Sequence, residues 1–170
     1  MYGYVKVGSA VPKLRVADCV YNKEEILKLV EAAAAKQVRV LSFPELSVTG
    51  YTCADLFFQT PLLHAAEQTI QEIAEATKAL NIFLLIGAPI AVDNQMFNCA
   101  VALYRGKLLG IVPKTHIPNY SEFYEERWFA SADDLLTEEI TYAGQNVPIG
   151  ADLIFAAADF PTLKIGVEIC

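Results

Sequence analysis

The run IFLLIGAPI, Ile82–Ile90, decides how the chain folds. It is apolar without interruption, the pattern of a central strand covered on both faces rather than a half-exposed one. Downstream, FNCAVALY (97–104) and KLLGIVP (107–113) are further strand-like runs. Arg105-Gly106 separates them, a short turn with a glycine that predicts a hairpin. Upstream, YVKVGSAV (4–11) and VRVLSF (38–43) read as strands on either side of YNKEEILKLVEAAAAK (21–36). In that segment Ile26, Leu27, Leu29, Val30 and Ala33 recur at helical spacing, and Asn22 with Glu25 has the form of a capping box. The opening third is therefore β-α-β. Thr60 and Pro61 are expected at the N-cap and first position of a second helix, with Leu62, Leu63, Ala66, Ile70 and Ile73 on one face. DLIFAAA (152–158) and LKIGVEI (163–169), joined by DFPT, predict a last strand pair that runs up to Cys170. The class is α/β with a mixed sheet and helices collected on one face.

Between Lys114 and Gly150 the chain is aromatic, acidic and rich in turn formers. A loop this long in a small domain is expected to be functional or disordered. Tyr120, Phe123, Tyr124, Trp128 and Phe129 weigh against disorder.

Composition narrows the function. The chain has 170 residues, 54% hydrophobic and 19% charged, enough for one domain with a sizeable core. A net charge of −7 with no Lys/Arg cluster argues against a nucleic-acid partner or an anionic membrane surface. MYGYVKVGSA (1–10) lacks the basic and apolar regions of a signal peptide, and no apolar stretch reaches membrane-spanning length. Cys19, Cys53, Cys99 and Cys170 form no CxxC pair and no metal-like grouping with His64 and His116. The expectation is a cytoplasmic protein with free thiols, no disulfide and no metal site.

Three polar residues stand where strands are expected to end: Glu45 after VLSFP, Lys114 after LLGIVP, and Cys170 after KIGVEI. Strand ends in α/β folds are where catalytic groups gather. Taken singly each has an ordinary reading, as a turn cap, a solvated lysine and a small core thiol; Cys19, Cys53 and Cys99 keep that last one. Taken together they supply a base, a cation and a nucleophile. A cysteine nucleophile needs a base to form its thiolate, and a buried glutamate can serve. A nearby lysine then stabilises the oxyanion of a tetrahedral intermediate. The histidine route is narrower: His64 falls in a helix and reads as packed, and His116 is the one candidate for a Cys-His pair.

At this point FPELSVTGYTCADLF (43–57), VPKTHIPNYSEFYEERWF (112–129) and IGVEIC (165–170) resemble, in order, the three signatures of the nitrilase, or carbon-nitrogen hydrolase, superfamily. LRVADCVYNKEEI (14–26), ELSVTGYTCADLF and PNYSEFYEERWF are most similar to the glutaminase domain of bacterial glutamine-dependent NAD synthetases. The resemblance implies the N-terminal part of a four-layer α-β-β-α sandwich, with residues 1–170 as a partial glutaminase domain. It implies a Glu45-Lys114-Cys170 triad that hydrolyses glutamine through a thioester. It places Tyr120 and Glu125 in the glutamine site, Glu125 ahead of Glu122, with Tyr51 and Phe123 lining the pocket. His116 is left with packing or a loop hydrogen bond.

The same resemblance implies further residues after Cys170, beginning with a sharp turn whose N–H completes the oxyanion hole. It also implies a synthetase domain in the same chain, where ATP and Mg2+ convert deamido-NAD to NAD. No Ser/Gly-rich phosphate loop occurs in this sequence, so that chemistry is not expected on these residues. By themselves the 170 residues are expected to be inactive and poorly soluble. Homo-oligomers are usual in the superfamily. Two other readings stand beside this one: a stand-alone amidase acting on another small amide or nitrile, and a catalytically silent interaction module.

Overall fold

Parallel and antiparallel pairing meet on one strand, and that junction organises the molecule. The computed structural model describes residues 3–170; Met1 and Tyr2, which open the segment read against a signal peptide, lie outside the described residues. In chain order the strands and α-helices are β1 (Val7–Ser9), α1 (Cys19–Ala35), β2 (Val40–Ser42), α2 (Thr60–Thr77), β3 (Phe83–Val92), β4 (Gln95–Tyr104) and β5 (Lys107–Pro113). After them come β6 (Glu139–Tyr142), β7 (Gln145–Pro148), β8 (Ile154–Ala157) and β9 (Phe160–Gly166). The main sheet has the order β1-β2-β3-β4-β5, parallel from β1 to β3 and antiparallel from β3 to β5. β6-β7 and β8-β9 are separate hairpins.

The apolar run that suggested a central strand is β3, paired on both sides. Its side chains alternate between two clusters, because successive residues of a strand point to opposite faces. Leu84, Ile86, Ala88 and Ile90 join Ile26 and Val30 of α1 and Ala66, Ile70 and Ile73 of α2 in the larger core. Phe83 and Leu85 point the other way, toward Phe155 of β8 and Ile165 of β9. Ile26, Ile70, Ile73 and Ile86 are fully buried, and each stabilises the fold by roughly 1.5–3 kcal/mol. Both helices lie on one face, and the β8-β9 hairpin covers part of the other.

The turns follow from chemistry. Arg105 and Gly106 both have positive φ, 49° and 81°, as a type I′ hairpin turn requires. Asp93-Asn94 and Ala143-Gly144 join their strands in the same way.

Several expectations are corrected. α1 starts earlier than the capping-box reading: Asp18 is its N-cap, accepting a bond from the Tyr21 N–H at 3.0 Å. Asn22 is drawn into the core instead, where its amide binds the backbone of Arg15 and Val48. For α2, Gln59 occupies the cap and Thr60 is already helical. His64 is exposed, opposite the stripe of Leu62, Ala66 and Ile70 that meets the sheet. The long segment after Lys114 holds two short 3-10 turns, Glu125–Arg127 and Ala132–Asp134, and the β6-β7 hairpin. Finally, the last strand does not run to Cys170. β9 pairs only with β8, the ladder stops at Ile154 opposite Gly166, and Val167–Cys170 has no strand partner among the described residues.

Candidate active site

Main-chain pairing sets out the site across one face of the sheet. Pro89 on β3 is opposite Asn98 on β4, and the β4-β5 ladder continues past its last strand pair with the Lys114 N–H donating to the Asn98 carbonyl at 2.8 Å. The Ala132 N–H donates to the Lys114 carbonyl at 2.9 Å, so Lys114 is held at both backbone polar groups. Glu45 arrives from the turn after β2. That turn lies directly on β3, with the Phe43 N–H bonded to the Leu85 carbonyl and the Val48 N–H to the Gly87 carbonyl. Gly87 makes the approach possible. A Cβ there would stand 2.7 Å from the Pro44 carbonyl oxygen and 2.8 Å from the Glu45 carbonyl carbon, and would run into the Leu46 nitrogen.

Lys114 is 1% exposed, and its ammonium is the centre of the cluster. Nζ donates to Glu45 Oε1 at 2.7 Å and to Glu125 Oε2 at 3.0 Å. Burial alone would lower the Lys114 pKa, but its hydrogen bonds to both carboxylates and their negative charges carry it above the usual lysine value. It is therefore a cation. Glu125, 2% exposed, also accepts the Tyr51 hydroxyl at 2.6 Å. Burial and that bond to a carboxylate raise the Tyr51 pKa, so the phenol keeps its proton and acts as a donor. Asn98 Nδ2 donates to Glu45 Oε1, the oxygen that Lys114 also uses. Glu45 Oε2 takes no bond among the described residues, and the Glu45 side chain is 23% exposed.

The segment carrying Glu125 is clasped from outside. Asp55 accepts Arg127 Nε at 2.7 Å, Arg127 Nη2 at 2.8 Å and Trp128 Nε1 at 3.0 Å. The Arg127 and Trp128 hydrogen bonds hold the Asp55 carboxyl well below the usual carboxylate range. Phe129 packs edge-on against Phe57 beneath the clasp.

Four of the residues read from the sequence thus share one hydrogen-bonded cluster: Glu45, Lys114, Glu125 and Tyr51. The other three do not join it. Tyr120 and Phe123 stack edge-on with ring centres 5.9 Å apart, and both are exposed. Cys170 is exposed and makes no hydrogen bond among the described residues, although the preceding Val167–Ile169 lines a cavity of about 170 Å³ with Val112, Pro113, Thr115 and His116. His116 is itself exposed and forms no hydrogen bond among the described residues. Cys19, Cys53 and Cys99 are buried core thiols, as read. A larger cavity, about 700 Å³ between the sheet and the β8-β9 hairpin, is lined by Phe83, Phe155 and Ile165 and contains none of the cluster.

Two residues were missed. Asn98 is fully buried, and its one sequence signal is an amide inside an otherwise apolar strand run. Its Oδ1 has no hydrogen-bond partner among the described residues, which costs about 1–3 kcal/mol. Asp55 left no signal distinct from an ordinary surface carboxylate.

This arrangement can hold one carboxylate oxygen in place beside a fixed cation, the pairing a base-assisted acyl transfer needs. The family model for carbon-nitrogen hydrolases matches residues 6–170.

The chain belongs to the carbon-nitrogen hydrolase family. Over 168 residues it is 38% identical to a glutamine-dependent NAD(+) synthetase of Mycobacterium leprae, covering 99% of this chain and 25% of that protein. A rat protein of the same name is 31% identical over 176 residues, covering 93% and 24%. The carbon-nitrogen hydrolase chain thus spans about a quarter of the length of these curated relatives, at their N-terminal part. Among solved structures, a glutamine-dependent NAD(+) synthetase from Cytophaga hutchinsonii superposes with a TM-score of 0.88 at 30% identity, over 98% of this chain and 28% of that one. An amidase from Nesterenkonia superposes with a TM-score of 0.65 at 18% identity, over 86% and 55%, which shows the shared fold. The nitrilase-like α/β class read from the sequence is therefore correct. Among the described residues no helix is long and apolar enough to cross a membrane.

Proposed function

We propose that this carbon-nitrogen hydrolase chain is the glutamine-hydrolysing part of a glutamine-dependent NAD synthetase. The observation that carries the reading is the buried Glu45-Lys114-Glu125 network in a chain that aligns with such synthetases over nearly its whole length. In this reading Glu45 takes the proton of the Cys170 thiol, and the thiolate attacks the glutamine side-chain carbonyl carbon. Lys114 stabilises the oxyanion. The intermediate collapses to a thioester as Glu45 returns the proton to the departing ammonia. Glu45 then removes a proton from water, the hydroxide attacks the thioester, and glutamate leaves as the thiol is regenerated. The balance is glutamine plus water to glutamate plus ammonia. Tyr51 and Glu125 hold Lys114 and the pocket wall, and Tyr120 and Phe123 are the aromatic surface offered to substrate.

ATP and magnesium belong in this reading to the synthetase portion. In this reading no ATP step is assigned to these 170 residues. The test is Cys170→Ala in the full-length protein. Glutamine-supported NAD formation should fall at least about 10³-fold while ammonia-supported formation stays within about twofold. Equal loss of both would count against a dedicated ammonia-releasing thiol.

A further inference from the structure

Glu45 has two carboxylate oxygens, and the structure treats them differently. Oε1 accepts both Asn98 Nδ2 and Lys114 Nζ, whereas Oε2 accepts nothing among the described residues. A carboxylate can exchange its oxygens by rotating about its last bond, a soft two-fold torsion. Lys114 cannot prevent this, because an ammonium is a compact charge with three rotatable donors that serves either oxygen equally well. Asn98 can. Its planar amide projects from the middle of a ten-residue strand paired on both sides, and its own carbonyl anchors the Lys114 backbone. Among the described residues Asn98 is therefore the single one bonded to both Glu45 and Lys114, by side chain to one and by backbone to the other.

The unpartnered Oδ1 adds a second argument. Asn98 is fully buried in a strand whose neighbours Phe97, Cys99 and Ala100 are apolar, and among the described residues its amide oxygen has no donor. An apolar side chain of similar size would serve packing better at this place. What the amide supplies and an apolar residue cannot is one N–H aimed at Glu45.

We propose that Asn98 is a positioning residue for the acyl-transfer reaction: it locks Oε1 of Glu45 against Lys114, so that Oε2 is the oxygen that takes the thiol proton and returns it to ammonia. The S–H bond breaks as the Oε2–H bond forms, and the same proton leaves with the amine. The proposal rests on the glutamine-hydrolysis reading above.

The experiment compares Asn98→Ala, Asn98→Asp and Asn98→Ser with wild type in the full-length protein. It follows glutamine hydrolysis across pH and, separately, alkylation of Cys170 by iodoacetamide relative to a free-thiol peptide. In Asn98→Ala, kcat should fall roughly 10²-fold with KM within about twofold, since Asn98 is held to act on Glu45 rather than on substrate. Losing a donor to the carboxylate favours its protonated form, so the acid limb of both profiles should move to higher pH. Asn98→Asp should tilt the profile the other way. At the acid end the new carboxyl is protonated and can still donate to Oε1; as pH rises it ionises against Glu45 and activity falls away. Asn98→Ser, with a shorter hydroxyl donor, should lie between the alanine variant and wild type.

Profiles that scale uniformly, a change confined to KM, or a kcat within twofold of wild type would overturn the proposal. So would failure of all three variants to fold, since the near-isosteric aspartate leaves the space filled; that outcome assigns Asn98 to the scaffold. A wild-type Cys170 that alkylates no faster than the peptide, with no glutamine turnover, removes the glutamine-hydrolysis reading and this proposal together. An activated wild-type thiol with unmoved Asn98 variants removes this proposal alone.

Discussion

The two ends that matter most, after β5 and after β9, look alike in sequence and differ in structure. VPK and EIC both place a reactive group just beyond an apolar run. Lys114 is buried, bonded at its backbone N–H and carbonyl, and bridged to two carboxylates. Cys170 is exposed, four residues past a strand that pairs on one side only. The difference lies in what surrounds the strand. β5 ends beside β4 and beneath the 114–132 segment, whereas β9 is half of an isolated hairpin. A strand end becomes a rigid platform only where neighbouring strands and the following loop hold it.

Substitutions can separate the two ends. Lys114→Met leaves Glu125 buried without its counter-ion, and should lower unfolding free energy by about 3–5 kcal/mol in urea titration. Cys170→Ala, an exposed change, should stay within about 0.5 kcal/mol. On the proposed function both abolish glutamine turnover, so stability rather than activity distinguishes them. A comparable loss of stability in both would erase the contrast.

Gly87→Ala probes the backbone beneath Glu45. The added methyl meets the main chain of Pro44–Leu46, which cannot turn aside as a side chain would. A loss of about 1–3 kcal/mol is expected, with glutamine turnover reduced while the Lys114–Glu125 pair is untouched. Tyr51→Phe removes one hydrogen bond to a carboxylate at a partly exposed site, and should cost about 1.5 kcal/mol by the same titration.

An effect confined to alkaline pH concerns the buried thiols. Burial first, then the neighbouring Cys53 and Asp18, raises the Cys19 pKa from 9.0 to about 11. Between those values the unfolded chain releases this proton and the folded chain keeps it, so stability falls as pH rises, by at most about 1.4 kcal/mol per pH unit from this group. Below pH 9 the folded and unfolded chains hold the proton alike and the group contributes no slope. Cys19→Ala should flatten the pH dependence of the urea midpoint between pH 9 and 11. An unchanged slope would show that Cys19 does not keep its proton on folding.

Much of this was legible in the sequence because it rested on local signals. The continuous apolar run gave β3, Arg105-Gly106 gave the β4-β5 turn, and two of the three short signatures brought Glu45, Lys114, Glu125 and Tyr51 into view. The rest depends on tertiary packing. Asp18 and Asn22 are both good caps by type, and only the Asn22 bonds to Arg15 and Val48 decide between them. β6 and β7 were hidden because four-residue strands, each with a single buried side chain, carry little periodicity. The extent of β9 was overread because strand-forming residues do not reveal whether a partner strand is present. Asn98 was passed over because one amide in an apolar strand is meaningful only once Glu45 is found above it.

The immobility of Lys114 has an entropic consequence. Ordering a lysine side chain costs up to about 2 kcal/mol of rotamer freedom. Here that ordering is complete once the chain has folded, with Nζ fixed between Glu45 and Glu125. A lysine recruited from the surface would incur it again in every catalytic cycle, a handicap of roughly 30-fold in rate. Any chemistry done by this ammonium starts from a group that has no conformational search left to make.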